Sequence, residues 1–186
     1  MFILYALVIG LVVGSLVGGR MDGLAALKLR GAWVMVTGLL VQVVLFSDPV
    51  TAWIGSAGPP IYVASTAAVF VAVLANHAIA GMPIVALGAA SNLAAITANG
   101  GFMPTHPGAL QALGKVESVV YSNSVVLPDA ALAPLTDIFA LPTWLPFANV
   151  FSIGDLLIGA GVAVVIARAM RSSSGAVSDR DDVALT

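Results

Sequence analysis

Cysteine is absent from this 186-residue chain, which excludes disulfides, thiolate-bound metals and a cysteine nucleophile and leaves the compartment open. Charge is nearly as scarce. Lys, Arg, Asp and Glu together make up 9% of the residues, where soluble domains carry about a quarter, and hydrophobic residues make up 60%. A fold surrounded by water has too few polar groups here to cover its apolar surface. The net charge of −2 and the lack of a basic stripe exclude a nucleic-acid partner. No phosphate-binding loop and no Gly-x-Ser-x-Gly serine elbow occurs. The histidines, His77 and His106, fall on opposite sides of the predicted membrane and cannot share a metal or haem. No metal and no cofactor is expected.

What the chain does have is long apolar runs. Five of them, at 2–19, 31–46, 60–75, 82–98 and 152–170, approach the roughly 20 residues that cross about 30 Å of hydrocarbon. The sequence therefore predicts an all-α, multi-pass membrane protein with five transmembrane helices, partnered first of all by the lipid bilayer. Orientation follows from the basic residues, because short loops rich in Lys and Arg stay in the cytoplasm. Arg20, Lys28 and Arg30 crowd the first loop, the second carries only Asp48, and Arg168 and Arg171 close the last run. Both basic clusters place the amino terminus outside and the carboxyl terminus in the cytoplasm. The first run has the apolar core and trailing small residues of a secretory signal, but no Lys or Arg precedes it and the positive charges follow it, so it reads as a span. Residues 172–186, SSSGAVSDRDDVALT, are small, polar and aperiodic and predict a disordered cytoplasmic tail.

Membrane helices associate through close packing and hydrogen bonds, because lipid is as apolar as their own side chains. Gly10, Gly14 and Gly18 form a narrow ridge on the first helix, and Ala86, Ala90, Ala94 and Ala98 form one on the fourth. Packing within the chain is the expected use of both, with a homodimer or another membrane protein on the glycine ridge as the alternative. Gln42 and Asn92 are the conspicuous amides inside spans; they could hydrogen-bond to each other, and a structural clasp is expected rather than the alternative, a transport site.

Residues 100–151 are too long for a featureless loop. Asn99-Gly100-Gly101 is a helix stop, Pro104 and Pro107 prevent simple continuation, and Leu110, Leu113, Val116 and Val120 give a short interfacial helix its apolar stripe. Prolines at 128, 134, 142 and 146 then favour extended or turning backbone, and Trp144 suits the headgroup level. This segment is expected to cap the outward ends of the helices. Its polar backbone would be met by Asn99, Asn123, Asn149 and Ser152, which are also the candidate binding residues.

The stretches Asn99-Gly-Gly-Phe-Met-Pro104, Ser122-Asn-Ser124, Asp137-Ile-Phe-Ala-Leu-Pro142 and Asn149-Val-Phe-Ser-Ile-Gly-Asp155, in that order behind a glycine-rich first helix, resemble a family of small bacterial membrane proteins labelled only as a domain of unknown function. That resemblance implies an inner-membrane location and a fold, not an activity. A second, partial resemblance is to lipoprotein signal peptidases, membrane aspartyl proteases with two acids near the outer face. It implies Asp137 and Asp155 as a catalytic pair, with Ser152 at the family's second acidic position and Asp155 one turn later.

Two readings of Asp155 follow. Ser152-x-x-Asp155 has capping-box spacing, in which each side chain meets the other residue's backbone N–H and negative charge suits a helix start. Alternatively, Asp155 and Asp137 share a site in which one acid donates a proton while the other accepts one. The first predicts a small scaffold or binding subunit that is no enzyme, the second an intramembrane aspartyl hydrolase.

Overall fold

The computed structural model describes residues 2–114, 124–127 and 129–183. Each predicted run becomes one long helix. α1 (Phe2–Leu16) ends three residues before the predicted limit because Gly18 takes a left-handed φ of 77° and turns Gly19 against Met170. The short α2 (Met21–Ala25) precedes α3 (Ala32–Leu45). α4 (Asp48–Thr51) and a 3-10 turn, Gly55–Ala57, lead into α5 (Gly58–Leu74), which accepts Pro59 in its first turn where the missing N–H has no helical partner to lose. α6 (Met82–Ala98) has the predicted limits. The short α7 (Pro107–Ala112) begins where expected, while Val116 and Val120 of its predicted stripe lie outside the described residues. α8 (Ile153–Val183) continues past Met170.

Two helical stretches, Gly55–Leu74 and Ile153–Ser172, are long and apolar enough to cross a membrane, and Ile3–Leu16, Ala32–Leu45 and Met82–Ala98 are apolar but shorter. The five stand in the order α1, α8, α6, α5, α3. Their directions alternate along the chain. Gly31 faces Ala72 and Gly38 faces Val69, Gly101 meets Pro59, and Gly81 and Gly88 lie against Gly161 and Gly154. One end therefore gathers the starts of α1, α5 and α8 with the finishes of α3 and α6. The other gathers Arg20, Lys28, Arg30, Arg168 and Arg171. Leu45, Tyr62, Ala95, Ile96 and Met103 form the apolar core of the first end, and Val73, Met82, Val85, Ala86 and Val165 that of the second.

Glycine sets the closest helix contacts. A Cβ on Gly10 would lie 3.0 Å from Ala163 Cα, and one on Gly14 would lie 2.4 Å from Met170 Sδ, so the α1 ridge is covered by α8 of the same chain. Gly18 has open space around it. On α6 the close approach to α8 belongs to Gly81 and Gly88 rather than to the alanine series: a Cβ on Gly88 would lie 2.4 Å from Gly154 O. Gln42 and Asn92 do not meet, because α5 stands between α3 and α6. Gln42 Nε2 instead donates to Thr66 Oγ1 at 3.2 Å and Ser65 Oγ at 3.4 Å on α5.

The segment between α6 and α8 folds over the first end as a cap. β1 (Met103–Pro104) pairs in parallel with β2 (Ser124–Val125), Thr105 bridges in parallel to Asp137, and β3 (Phe139–Ala140) pairs antiparallel with β4 (Val150–Phe151). Phe139 stacks on Phe151 at 5.4 Å. Asn99 fastens the cap to α6: its Nδ2 donates to Ala95 O at 2.7 Å and to Ala131 O at 2.8 Å, and its Oδ1 accepts from Ala131 N at 2.8 Å. Asn76 does the same at the basic end, bonding Ala72 O and both backbone groups of Arg30. Tyr5 Oη donates to Pro146 O, tying α1 to the cap.

Candidate functional site

The polar residues at the cap end converge on the start of α8. Ser152 is fully buried, and its Oγ accepts from Asp155 N at 3.0 Å while Asp155 Oδ2 accepts from Ser152 N at 3.0 Å. This reciprocal pair is the capping box that the spacing predicts, and it supplies two helix-start N–H groups with acceptors. Asn92 on α6 closes the arrangement. Its Nδ2 donates to Asp155 Oδ1 at 2.8 Å and its Oδ1 accepts from Ser152 Oγ at 2.9 Å. Both Asp155 oxygens are thus held, one by its own helix cap and one by the neighbouring helix.

Asp137 approaches from the cap. Its backbone is fixed by donation to Pro104 O at 2.9 Å and acceptance from His106 N at 3.0 Å, and the residue is 7% exposed. Burial, and next the Asp155 carboxylate, push its acid up to about 7 from an ordinary 3.8. The two candidate acids therefore differ in kind: Asp155 is a hydrogen-bonded anchor, and Asp137 is a buried group that gains or loses its proton near neutrality. Thr105, in register with Asp137, is 3% exposed, and its hydroxyl has no hydrogen-bond partner.

The remaining candidates divide. Asn99 is a cap fastener. Asn149 joins the cap through its carbonyl, which accepts from Leu141 N at 3.0 Å. Asn123 lies outside the described residues. His106 Nδ1 accepts from Gly108 N at 3.1 Å and caps α7, and His77 Nδ1 lies 3.0 Å from Leu74 O at the basic end. Asn92 meets Asp155 and Ser152 rather than Gln42, and the only sequence signal for Thr105 is its place directly after the Asn99–Pro104 stretch.

A protein-family model described as a family of unknown function matches residues 26–167. The chain belongs to that family, DUF5317. Asn92, Thr105, Asp137, Ser152 and Asp155 all fall inside the DUF5317 match, as do α3, α5, α6 and the cap, whereas α1 lies outside it. No curated protein and no solved structure matches the chain. The chemistry of the DUF5317 site is therefore argued from its own geometry. One acid is held through both oxygens by hydrogen bonds, and its neighbour is buried, with its proton affinity raised by that burial and next by the first acid.

Proposed function

We propose that this DUF5317 chain is a multi-pass membrane protein with five crossings, its amino terminus and cap outside and its carboxyl terminus in the cytoplasm, acting as a small scaffold or binding subunit. The cap receives a lipid or protein partner beside Asp137 and Asp155. Several features support this reading. All described Lys and Arg side chains gather at the end away from the cap, as expected for a cytoplasmic face. Trp33 at the basic end and Trp53 and Trp144 at the cap end are exposed, at 75%, 72% and 79%, the distribution of aromatic belts at two interfaces. The outer faces of α1 and α3 expose Val8, Ile9, Val12, Val36, Leu40 and Val43, which water would not tolerate as a set.

The observation that carries the binding role is Asp137. A bundle that needs only to be stable has no use for a second buried acid beside one already committed to the helix cap. The test compares the intact protein with Asp137→Asn after purification from native membranes in mild detergent. A lipid or protein retained in fixed ratio by the wild type and lost from a variant of equal helix content is expected. Identical co-purifying components in both would overturn the role.

A second reading, an aspartyl hydrolase, is favoured by the action of Asp155 on Asp137, since one acid raising the proton affinity of the other is the coupling on which two-carboxylate chemistry depends. Asp137→Asn and Asp155→Asn should then each abolish processing of a membrane substrate. Turnover surviving in either variant ends that reading.

A further inference from the structure

Asp137 is the hub on which the cap is sewn together. Its N–H and carbonyl hold Pro104 O and His106 N, while Thr105 N donates to Val125 O at 2.8 Å, so residues 103–106 are fastened to Asp137 along one edge and to β2 along the other. Paired residues of neighbouring strands project to the same face, so the Thr105 and Asp137 side chains lie side by side and are both buried. The unpartnered Thr105 hydroxyl gives the Asp137 carboxyl no donor. Among the described residues no other group donates to that carboxyl, and the described Lys and Arg side chains stand at the far end of the helices. The charged groups acting on it are the Asp155 carboxylate of α8, which raises its proton affinity, and the chain's amino-terminal charge, which lowers it. The His106 ring, next along the same segment, is turned to Gly108 N on α7. α6 contributes only the uncharged Asn92 to this cluster.

This arrangement suits a neutral Asp137. Ionised, it becomes a buried charge with no described donor, facing a like charge. Asp155 cannot retreat, because Asn92 and the Ser152 amide hold both of its oxygens. The short strand segments around Asp137 are the side that yields.

We propose that Asp137 is a proton-operated latch on the cap: protonated, it lets residues 103–106 stay closed against the helix ends, and ionised, it is driven from Asp155 and the cap opens to admit the partner. This rests on the reading that the cap covers a binding site at the two acids. It adds how access to that site is regulated.

Because the chain has no cysteine, a single Met103→Cys in the buried β1 reports opening through its reaction rate with a soluble maleimide, divided by that of a model thiol at the same pH. Between about pH 5.5 and about pH 8 the corrected rate should rise about tenfold, with its midpoint near 7. Adding Asp137→Asn should leave it low and flat. Adding Asp155→Asn should keep a step but move its midpoint to lower pH, since one of the two causes that raise the Asp137 acid is gone. A corrected rate that ignores pH in the Met103→Cys protein, or a step that survives Asp137→Asn, overturns the latch. If Asp137→Asn does not elute as folded protein, the Asp155→Asn midpoint decides, and one that stays in place or rises overturns it. A latch that fails while co-purification still depends on Asp137 leaves the binding role standing, and the reverse result removes the role alone.

Discussion

Asn92 and Gln42 are both amides on apolar helices, yet their surroundings give them unequal weight. Replacing Asn92 by Leu strands Asp155 Oδ1 and Ser152 Oγ, and leaving such groups unsatisfied costs about 1–3 kcal/mol. Replacing Gln42 by Leu removes two longer bonds, and Ser65 Oγ already donates to Tyr62 O, so a loss below about 1 kcal/mol is expected. Reversible unfolding in mixed detergent micelles compares the two. Asp137 adds a pH dependence. Its folded value of about 7 lies above the ordinary 3.8, so between those limits the native state keeps a proton that the unfolded chain has released. The Asp137 contribution to stability should therefore be complete below about pH 4, fall by up to about 1.4 kcal/mol per unit as pH rises towards 7, and level off beyond, with Asp137→Asn removing the slope. The Ser152–Asp155 capping box was legible because it depends on spacing within one helix. Asn92 was not, because its partner is chosen by how two distant helices cross.

That crossing is set by glycine. A Cβ on Gly154 would lie 1.9 Å from Asn92 Oδ1 and 2.8 Å from Gly88 O, so Gly154→Ala must both push α6 from α8 and break the Asn92 clasp. A loss of about 1–3 kcal/mol or more is expected, against about 0.5 kcal/mol or less for Leu87→Ala on the exposed face of α6, both read from the same unfolding curves. The limits of α6 could be read to the residue, and those of α3 and α5 within two, because apolar runs bounded by Gly, Pro and polar residues define where a helix can persist. Their order could not. Nothing in the sequence says that α8 inserts between α1 and α6, since helices in an apolar surrounding choose neighbours by small local surfaces. The alanine series on α6 showed what such a surface looks like, but Gly81, just outside the run, and Gly88 form the contact that is used. The β-bridges of the cap were equally hidden, being two residues long and joining segments far apart in sequence.

At the scale of the whole molecule, five helices of alternating direction separate a basic end from a capped end that holds two acids. The gathering of Arg20, Lys28, Arg30, Arg168 and Arg171 at one end was legible from their places in the sequence, and the gathering of Asp137, Asp155 and Asn92 at the other end is what the fold adds. The account stands on which side of the membrane that capped end occupies. Its most direct test is the labelling of single-cysteine proteins, Trp144→Cys in the cap and Lys28→Cys at the basic end, by a membrane-impermeant maleimide on intact cells, with no native thiol to interfere. The cap position should react at once and the basic position only after the membrane is opened. Prompt labelling at Lys28→Cys with protection at Trp144→Cys, or prompt labelling of both, would contradict the account.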